Sequence, residues 1–448
     1  MKTNKQFTGQ RNLVQIVTRV SKLKKESAWM LQKRLQALEW FDKIPFPKWG
    51  PNLSEINFKD LSYYARPEKE TQKKWSDVPV TIRKTFEQLG IPQAEREALA
   101  GVGAQFESES VYHNLKTELE VQGVIFLPME EAVKKHPALV KKYFGTIVPA
   151  SDNKFAALNT ALWSGGSFIY IPKNVNVEIP LQAYFRINSK NFGQFERTLI
   201  IADEGSQVNY LEGCSAPLYS IDSLHAAVVE IVALKNSRVK YSTVQNWSQN
   251  VYNLVTKRCH AYENAVVEWI DANFGSKISM KYPAVYLLGK NSRADLLSLA
   301  FANGKQVQDT GGKVFHIAPD THSRIISKSV SKNGGYCIYR GLAHIAKGAV
   351  GAVSSVKCDA LLLDKKSRSD TFPSMKVDEE DAAASHEAYT GKISEEQLFY
   401  LRSRGFSEEE ATALIVLGFV SDVSRQLPAE YAIELNNLIQ LQTTGKIK

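Results

Sequence analysis

From about Ser167 onward the apolar residues fall in short runs, each cut by Gly, Asn, Asp or Pro, and the runs restart in a similar way. The restarts read Gly205-Ser206-Gln207-Val208, Asn236-Ser237-Arg238-Val239, Asn264-Ala265-Val266-Val267, Asn291-Ser292-Arg293-Ala294 and, more loosely, Thr321-His322-Ser323-Arg324. They recur roughly every 27 to 31 residues, a period that marks a stacked repeat. Each unit holds two or three strand-like pieces, for example Val228 to Leu234, Val239 to Val244 and Leu254 to Arg258, with no amphipathic helix between them. That pattern predicts a β-solenoid rather than a βαβ sheet. The shorter spacing of a β-sandwich is the competing all-β reading, and it fits the restarts less well.

The flanks read differently. Ser27 is placed to cap a helix carrying Trp29, Leu31, Leu35 and Leu38 at helical spacing, ended by Pro45, Pro47 and Pro51. Short helices are expected over Thr81 to Leu89 and Gln93 to Ala100, a strand over Val124 to Leu127, and helices after Pro128 and Pro137. After Lys392 the pattern turns helical: Ser394 with Gln397 and Ser407 with Glu410 form capping boxes, Gly405 is a stop, and Pro428 opens a last helix. Leu414, Ile415, Leu417, Phe419 and Val420 give the middle helix a broad apolar surface, part of which is expected to bind another protein. The expected organisation is an α/β N-terminal domain over 1–150, a β-solenoid core over 151–385 and a helical C-terminal domain over 386–448.

Composition places the 448 residues among soluble globular chains, with 44% hydrophobic and 23% charged residues. No apolar run is long enough to span a bilayer, and the N-terminus opens on Lys, Gln and Arg, so a cytoplasmic protein is expected. The net charge of +9 sits mostly in the first part of the chain and around Lys365, Lys366 and Arg368. Without a zinc finger, an RNP-like aromatic pair or a continuous basic helix, it reads as a solvated face or a surface for an acidic protein, not a nucleic-acid site. The four cysteines, Cys214, Cys259, Cys337 and Cys358, include no CxxC pair. Any metal site must therefore be assembled from distant segments or from two chains.

Two of these thiols stand out. Cys214, in Leu211-Glu212-Gly213-Cys214-Ser215-Ala216-Pro217, lies between Gly and Pro at a strand's end, which predicts a presented sulfur rather than a packed one. Cys358 shares a strand face with Val356, Ala360 and Leu362, by pattern a core position, and is followed along the chain by His386-Glu387. A soft thiolate with nearby imidazole and carboxylate is a combination suited to iron. No GxxxxGK[ST] loop is present, so the chain is not itself a P-loop ATPase, and no Gly-rich turn specific to a flavin is found.

Long ordered stretches carry a resemblance: Trp29-Met30-Leu31, the run from Asn153-Lys154-Phe155-Ala156-Ala157-Leu158-Asn159 to Trp163-Ser164-Gly165-Gly166-Ser167, Phe185-Arg186-Ile187-Asn188, Leu211-Glu212-Gly213-Cys214, Tyr241-Ser242-Thr243-Val244-Gln245-Asn246-Trp247, Val255-Thr256-Lys257-Arg258 and His386-Glu387-Ala388. From about Ser27 to its end the chain resembles the SufB family of the SUF scaffold, which assembles iron–sulfur clusters. The resemblance implies a right-handed parallel β-helix flanked by helical domains, acting as an assembly scaffold rather than an enzyme. It also implies partners: an ABC-type ATPase, SufC, on the C-terminal helical region, a paralogous β-helix subunit, SufD, or a second copy of this chain, and a cysteine desulfurase with its sulfur-transfer protein. Cys214 matches the family's acceptor of persulfide sulfur. Arg186, Asn188, Gln245, Trp247 and Lys257 match positions associated with a sulfur path through the β-helix. Cys358, Glu387 and His386 match the place where a transient cluster is held, and reduced flavin (FADH2) is an allowed electron source. Ser385 stands where the family often has an acidic residue, which leaves the ligand set open. Cys259 and Cys337 match no family position and read as structural.

Two other classes compete. A SufD-like structural paralogue would share fold and partners without accepting sulfur, and Leu211-Glu212-Gly213-Cys214 argues against it. A β-helix enzyme acting on polysaccharides would need clustered carboxylates along one face, whereas those here are scattered.

Overall fold

The structure, a computed structural model, describes residues 4–8, 13–66, 99–187, 191–216 and 222–445. Its core is a parallel β-solenoid of about seven turns, with helices towards both ends of the chain. In one wall the strands Asn176–Arg186, Gln207–Ser215, Arg238–Trp247, Val266–Gly275, Arg293–Asn303, His322–Lys332, Ala352–Leu362 and Ala382–Lys392 stack in parallel. The facing wall climbs from Ser167–Ile171 and Arg197–Ala202, through Val228–Ala233 and Val251–Ala261, to Tyr336–Ile345 and Arg368–Val377.

The restarts in the sequence are the corners of this coil. Asn174, Gly205, Asn236, Asn264, Asn291, Asp320 and Gly351 all have positive φ. Gly, Asn and Asp adopt that left-handed turn at least cost, which explains why the repeat is spelled with them. The asparagines also stack, Asn264 Nδ2 donating to Asn236 Oδ1 at 2.8 Å and Asn291 Nδ2 to Asn264 Oδ1 at 3.2 Å. Gln207, Arg238, Val266 and Arg293, the third residues of four restarts, are register partners. In the looser fifth restart the partner is His322, one residue earlier than its motif suggests.

Strand alternation divides each rung into two faces. Tyr210, Cys214, Tyr241, Trp247 and Trp269 turn into the solenoid core, while Leu211, Ile270, Leu299 and Phe301 turn outward to meet Val416, Val420, Leu435 and Ile439 of the C-terminal helices. Those helices span Glu395–Ser403, Glu408–Phe419, Ser421–Ser424 and Ala429–Thr444. Ser407 and Glu410 form the full capping box, Ser394 accepts from the Gln397 amide, and Gly405 takes φ +94°.

At the other end, helices Leu13–Lys24 and Ala28–Lys43 pack with helix Lys154–Leu162 against the solenoid. Asn153 caps that last helix, accepting from the amides of Phe155 and Ala156. Arg34, fully buried, pairs with Glu26 at 2.6 Å and donates to the carbonyls of Ala161 and Trp163, so much of the Asn153–Ser167 motif serves as a strut. Ser27 occupies its predicted cap position without a side-chain hydrogen bond. The helix expected over Thr81 to Leu89 lies outside the described residues, as does all but the end of that expected over Gln93 to Ala100. The last strand of the stack carries His386 and Glu387 on the solenoid itself. Among the described residues no helix is long and apolar enough to cross a membrane.

Candidate functional site

Cys214 is not presented, as its Gly and Pro neighbours suggested; it is 4% exposed. The reason is alternation: strand Gln207–Ser215 continues through it, so with Tyr210 and Glu212 it faces inward, between Phe185 and Gln245 of the adjoining rungs. Pro217 lies outside the described residues. Gln245 Nε2 donates to the sulfur at 3.9 Å, and the thiol faces Glu212 Oε1 at 3.9 Å. Burial, then the charges of Glu212 and Glu196, push the Cys214 thiol well above its ordinary range, against the opposing pull of Lys257 and Lys281. The thiolate, the attacking form, is therefore strongly disfavoured in this arrangement.

Around the thiol the interior is polar. Gln245 Oε1 accepts from Asn253 Nδ2 at 2.7 Å and Trp247 Nε1 at 3.4 Å. Asn253 Oδ1 meets His225 Nδ1 at 2.7 Å, and His225 Nε2 meets Glu196 Oε1 at 2.8 Å, with the imidazole against the Trp247 ring. Lys257, with its side chain fully buried, donates to Tyr241 Oη at 2.7 Å and pairs with Glu212 Oε1 at 3.2 Å. Gln245, Trp247 and Lys257 thus gather on Cys214 together with Glu196, Glu212, His225, Tyr241 and Asn253, which the sequence reading did not single out. Period two along the strand could have found Glu212. His225 and Asn253 come from the facing wall, where no linear spacing announces them.

Arg186 behaves differently. It pairs in register with Ser215, one residue beyond Cys214 and so on the opposite strand face, and donates from Nη1 to Ser215 Oγ at 2.9 Å. It is part-exposed, whereas Gln245 and Lys257 are buried. Asn188 lies outside the described residues.

Further along the interior a second ion pair is fully buried, Lys281 Nζ standing 2.7 Å from Asp271 Oδ1. Burial brings the Lys281 ammonium down to about 8, with Asp271 resisting and Lys257 reinforcing the fall. Asp271 also accepts from Asn273 Nδ2 at 2.9 Å.

Cys358, 5% exposed, stands on the penultimate rung of the long wall, its sulfur 3.5 Å from His386 Nε2 on the last. Burial pushes this thiol up to about 12, countered by the Tyr339 hydroxyl. Glu387 is not in this pair. It is the register partner of Lys357, projects from the other strand face, and meets Lys357 Nζ at 3.8 Å with most of its side chain exposed. Among the described residues no three His, Cys, Asp or Glu side chains cluster as a metal site. Strands Arg368–Val377 and Ala382–Lys392 end their stacks and are largely exposed, so this end of the coil is open. Cys259 and Cys337 are buried, and burial raises both thiols.

Register connects the two regions. Glu212, Thr243, Asp271, Ser298, Ser327 and Cys358 are partners on successive rungs and form one inward column. Ser298 Oγ donates to Ser327 Oγ at 3.1 Å. At about 4.8 Å per rung, the column covers about 24 Å.

Comparison with known proteins is consistent across the chain. Residues 185–419 match the family model described as SUF system FeS cluster assembly, SufBD core domain, and residues 10–183 match the SufBD protein N-terminal region. Iron–sulfur cluster assembly SufBD family proteins of Staphylococcus haemolyticus and Staphylococcus epidermidis are each 56% identical over 442 residues, covering 98% of this chain and 95% of theirs. One from Staphylococcus aureus is 55% identical over the same span.

Proposed function

The chain belongs to the SufBD family of iron–sulfur cluster assembly proteins, and from that premise we propose that it is the SufB-type scaffold, taking persulfide sulfur on Cys214 and holding the nascent cluster at Cys358 with His386 and Glu387. The observation that carries this reading is the inward polar column from Glu212, beside Cys214, to Cys358. A solenoid interior built only for stability would be filled with aliphatic side chains, since buried ion pairs are at best weakly stabilising.

In the first step Cys214 loses its proton, for which Glu212 is the nearest carboxylate. The thiolate then attacks the outer sulfur of a donor persulfide. One S–S bond forms, the donor's breaks, and the donor leaves as a thiolate with no net redox change. Because the thiol is buried and strongly protonated, transfer requires Cys214 to become accessible when the desulfurase and sulfur-transfer protein dock. Arg186, part-exposed beside Ser215, is suited to draw the anionic persulfide in. Gln245, Trp247 and Lys257 then stabilise the sulfur within the coil. Release as sulfide breaks the Cys214 S–S bond and consumes two electrons, assigned here to reduced flavin.

Glu387, pointing away from Cys358, meets the cluster only if the open end of the coil faces a paralogous β-helix or a second copy. Edge strands with unpaired backbone groups suit such a partner. For the ABC-type ATPase the supporting surface is the groove of about 750 Å³ lined by Tyr389, Tyr400 and Phe419 at the C-terminal helices, beside the exposed Phe399.

Burial of Cys214 favours the SufD-like reading, a subunit without sulfur uptake. Anaerobic reconstitution with the ATPase and a sulfur donor decides. Cys214→Ala should abolish sulfur uptake, while Cys358→Ala and Glu387→Ala should keep uptake and lose cluster formation. Wild-type protein that never gains sulfur at Cys214 would refute the proposal.

A further inference from the structure

The stretch of interior between the two cysteines contains polar atoms that the fold leaves without partners. Among the described residues, Thr243 Oγ1, Asn273 Oδ1, Gln308 Oε1 and the Trp269 Nε1 have no hydrogen-bond partner although buried. Lys281 is the extreme case. Its ammonium is fully buried, has three protons to place, and meets Asp271 Oδ1 at 2.7 Å with no hydrogen bond of good geometry to anything else described. Lys257, by contrast, has Tyr241 Oη as well as Glu212. Buried polar groups are nearly always satisfied, so a set of unsatisfied ones facing one interior calls for a small polar guest.

The two lysines repeat one design. Each comes from the facing wall and meets a carboxylate of the same inward column, Glu212 for Lys257 and Asp271 two rungs further on for Lys281. Beyond Asp271 the column continues through Ser298 and Ser327 to Cys358 without another charge.

We propose that Lys281, held by Asp271, is a binding station for hydrosulfide between Cys214 and Cys358. This rests on the sulfur-accepting role of Cys214. Hydrosulfide arises there when the persulfide takes two electrons and one proton from a two-electron donor such as reduced flavin, giving the Cys214 thiol and HS⁻. At the station no bond is made or broken. The anion accepts hydrogen bonds from the free ammonium protons, and its own S–H donates to Asn273 Oδ1 or Gln308 Oε1.

The test uses the full chain with a cysteine desulfurase, labelled cysteine, reduced flavin and ferrous iron. Lys281→Met combined with Asp271→Leu removes both charges and leaves neither buried alone. If that variant does not fold, Lys281→Gln with Asp271→Asn replaces it. Two quantities are read: sulfur gained at Cys214 by mass, and growth of the iron–sulfide absorption. The station predicts that Cys214 still gains sulfur, more slowly because one of the two cations favouring its thiolate is gone. The absorption rate per sulfur gained falls roughly tenfold or more, equivalent to one lost charge-assisted hydrogen bond, with near-normal delivery in Lys281→Arg. Wild-type delivery per sulfur gained in the doubly neutral variant overturns the station alone. Absence of sulfur on wild-type Cys214 overturns the acceptor reading and the station with it.

Discussion

Lys257 is either a strut or a working charge, and a double-mutant cycle with Glu212 separates the two. The pair is 3.2 Å apart, with both side chains at most 5% exposed. At an effective dielectric of about 20, that separation corresponds to about 5 kcal/mol of attraction, most of it offset by desolvation. Removing one member leaves the other charged and buried, so Lys257→Met should cost about 3–5 kcal/mol, and Glu212→Leu a similar amount. Lys257→Met combined with Glu212→Leu leaves no orphan charge and should return close to wild-type stability, so that with single costs of about 3–5 kcal/mol each the coupling is about 6 kcal/mol or more. Urea unfolding monitored by tryptophan fluorescence reads the cycle, because Trp247 and Trp269 lie in the same interior.

The decisive measurement pairs that cycle with sulfur uptake at Cys214. The double variant should be stable and yet take up sulfur slowly, since the cation that favours anionic sulfur beside Cys214 is gone. If the double variant recovers both stability and uptake, Lys257 is a packing residue whose charge serves only Glu212. The proposed role of the interior cations would then be refuted at its strongest point.

Three further outcomes are expected. Lys281 titrates near 8 when folded and 10.5 when free, so between those pH values the unfolded chain holds more protons and stability must rise with pH. The gain is about 3 kcal/mol, and it should vanish in Lys281→Met with Asp271→Leu when denaturation midpoints are compared across that window. Cobalt(II) titration of the isolated chain should lose its thiolate charge-transfer band in Cys358→Ser and weaken it in His386→Ala, yet keep it in Glu387→Ala, whose side chain projects the other way. Asn264→Ala should cost about 1–2 kcal/mol in thermal or urea unfolding, and Asn264→Gly less, because the corner needs φ +56° as well as the stacked amide.

How much of this was legible depends on how local the determinant is. The coil was readable because each corner needs a left-handed residue, and Asn236, Asn264 and Asn291 announce it at a fixed period. The face of Cys358 was readable from alternation with Val356 and Ala360. Cys214 was misjudged because Gly and Pro around it signal a loop, while the strand in fact runs on through Ser215. Gly213 is there for another reason: a Cβ would stand 2.5 Å from the Tyr184 ring. The rest of the network escaped because its members meet across the coil. His225, Asn253, Lys281 and Tyr339 belong to the facing wall, and which of them reach Cys214 or Cys358 is set by rung registration, which no single strand encodes.

The column's charge is uneven, and that has a consequence for the order of assembly. Near Cys214 the interior offers Lys257 and Lys281, whereas towards Cys358 it offers Ser298, Ser327 and the Tyr339 hydroxyl. An anion that left the lysines would lose two charge-assisted contacts and gain only neutral hydrogen bonds, roughly half as strong. Travel toward Cys358 is then uphill unless a cation waits at the far end, and no described protein cation stands within the column there. Ferrous iron held by Cys358 and His386 supplies that charge, and binding iron also replaces the thiol proton that burial otherwise retains. On this reasoning iron must load before sulfur is delivered. Adding ferrous iron to sulfur-charged protein and then reduced flavin should give cluster at once, whereas reducing the persulfide first and adding iron later should leave sulfide trapped near Lys281 or lost to solvent. Equal yields from the two orders of addition would show that the lysines do not hold the anion.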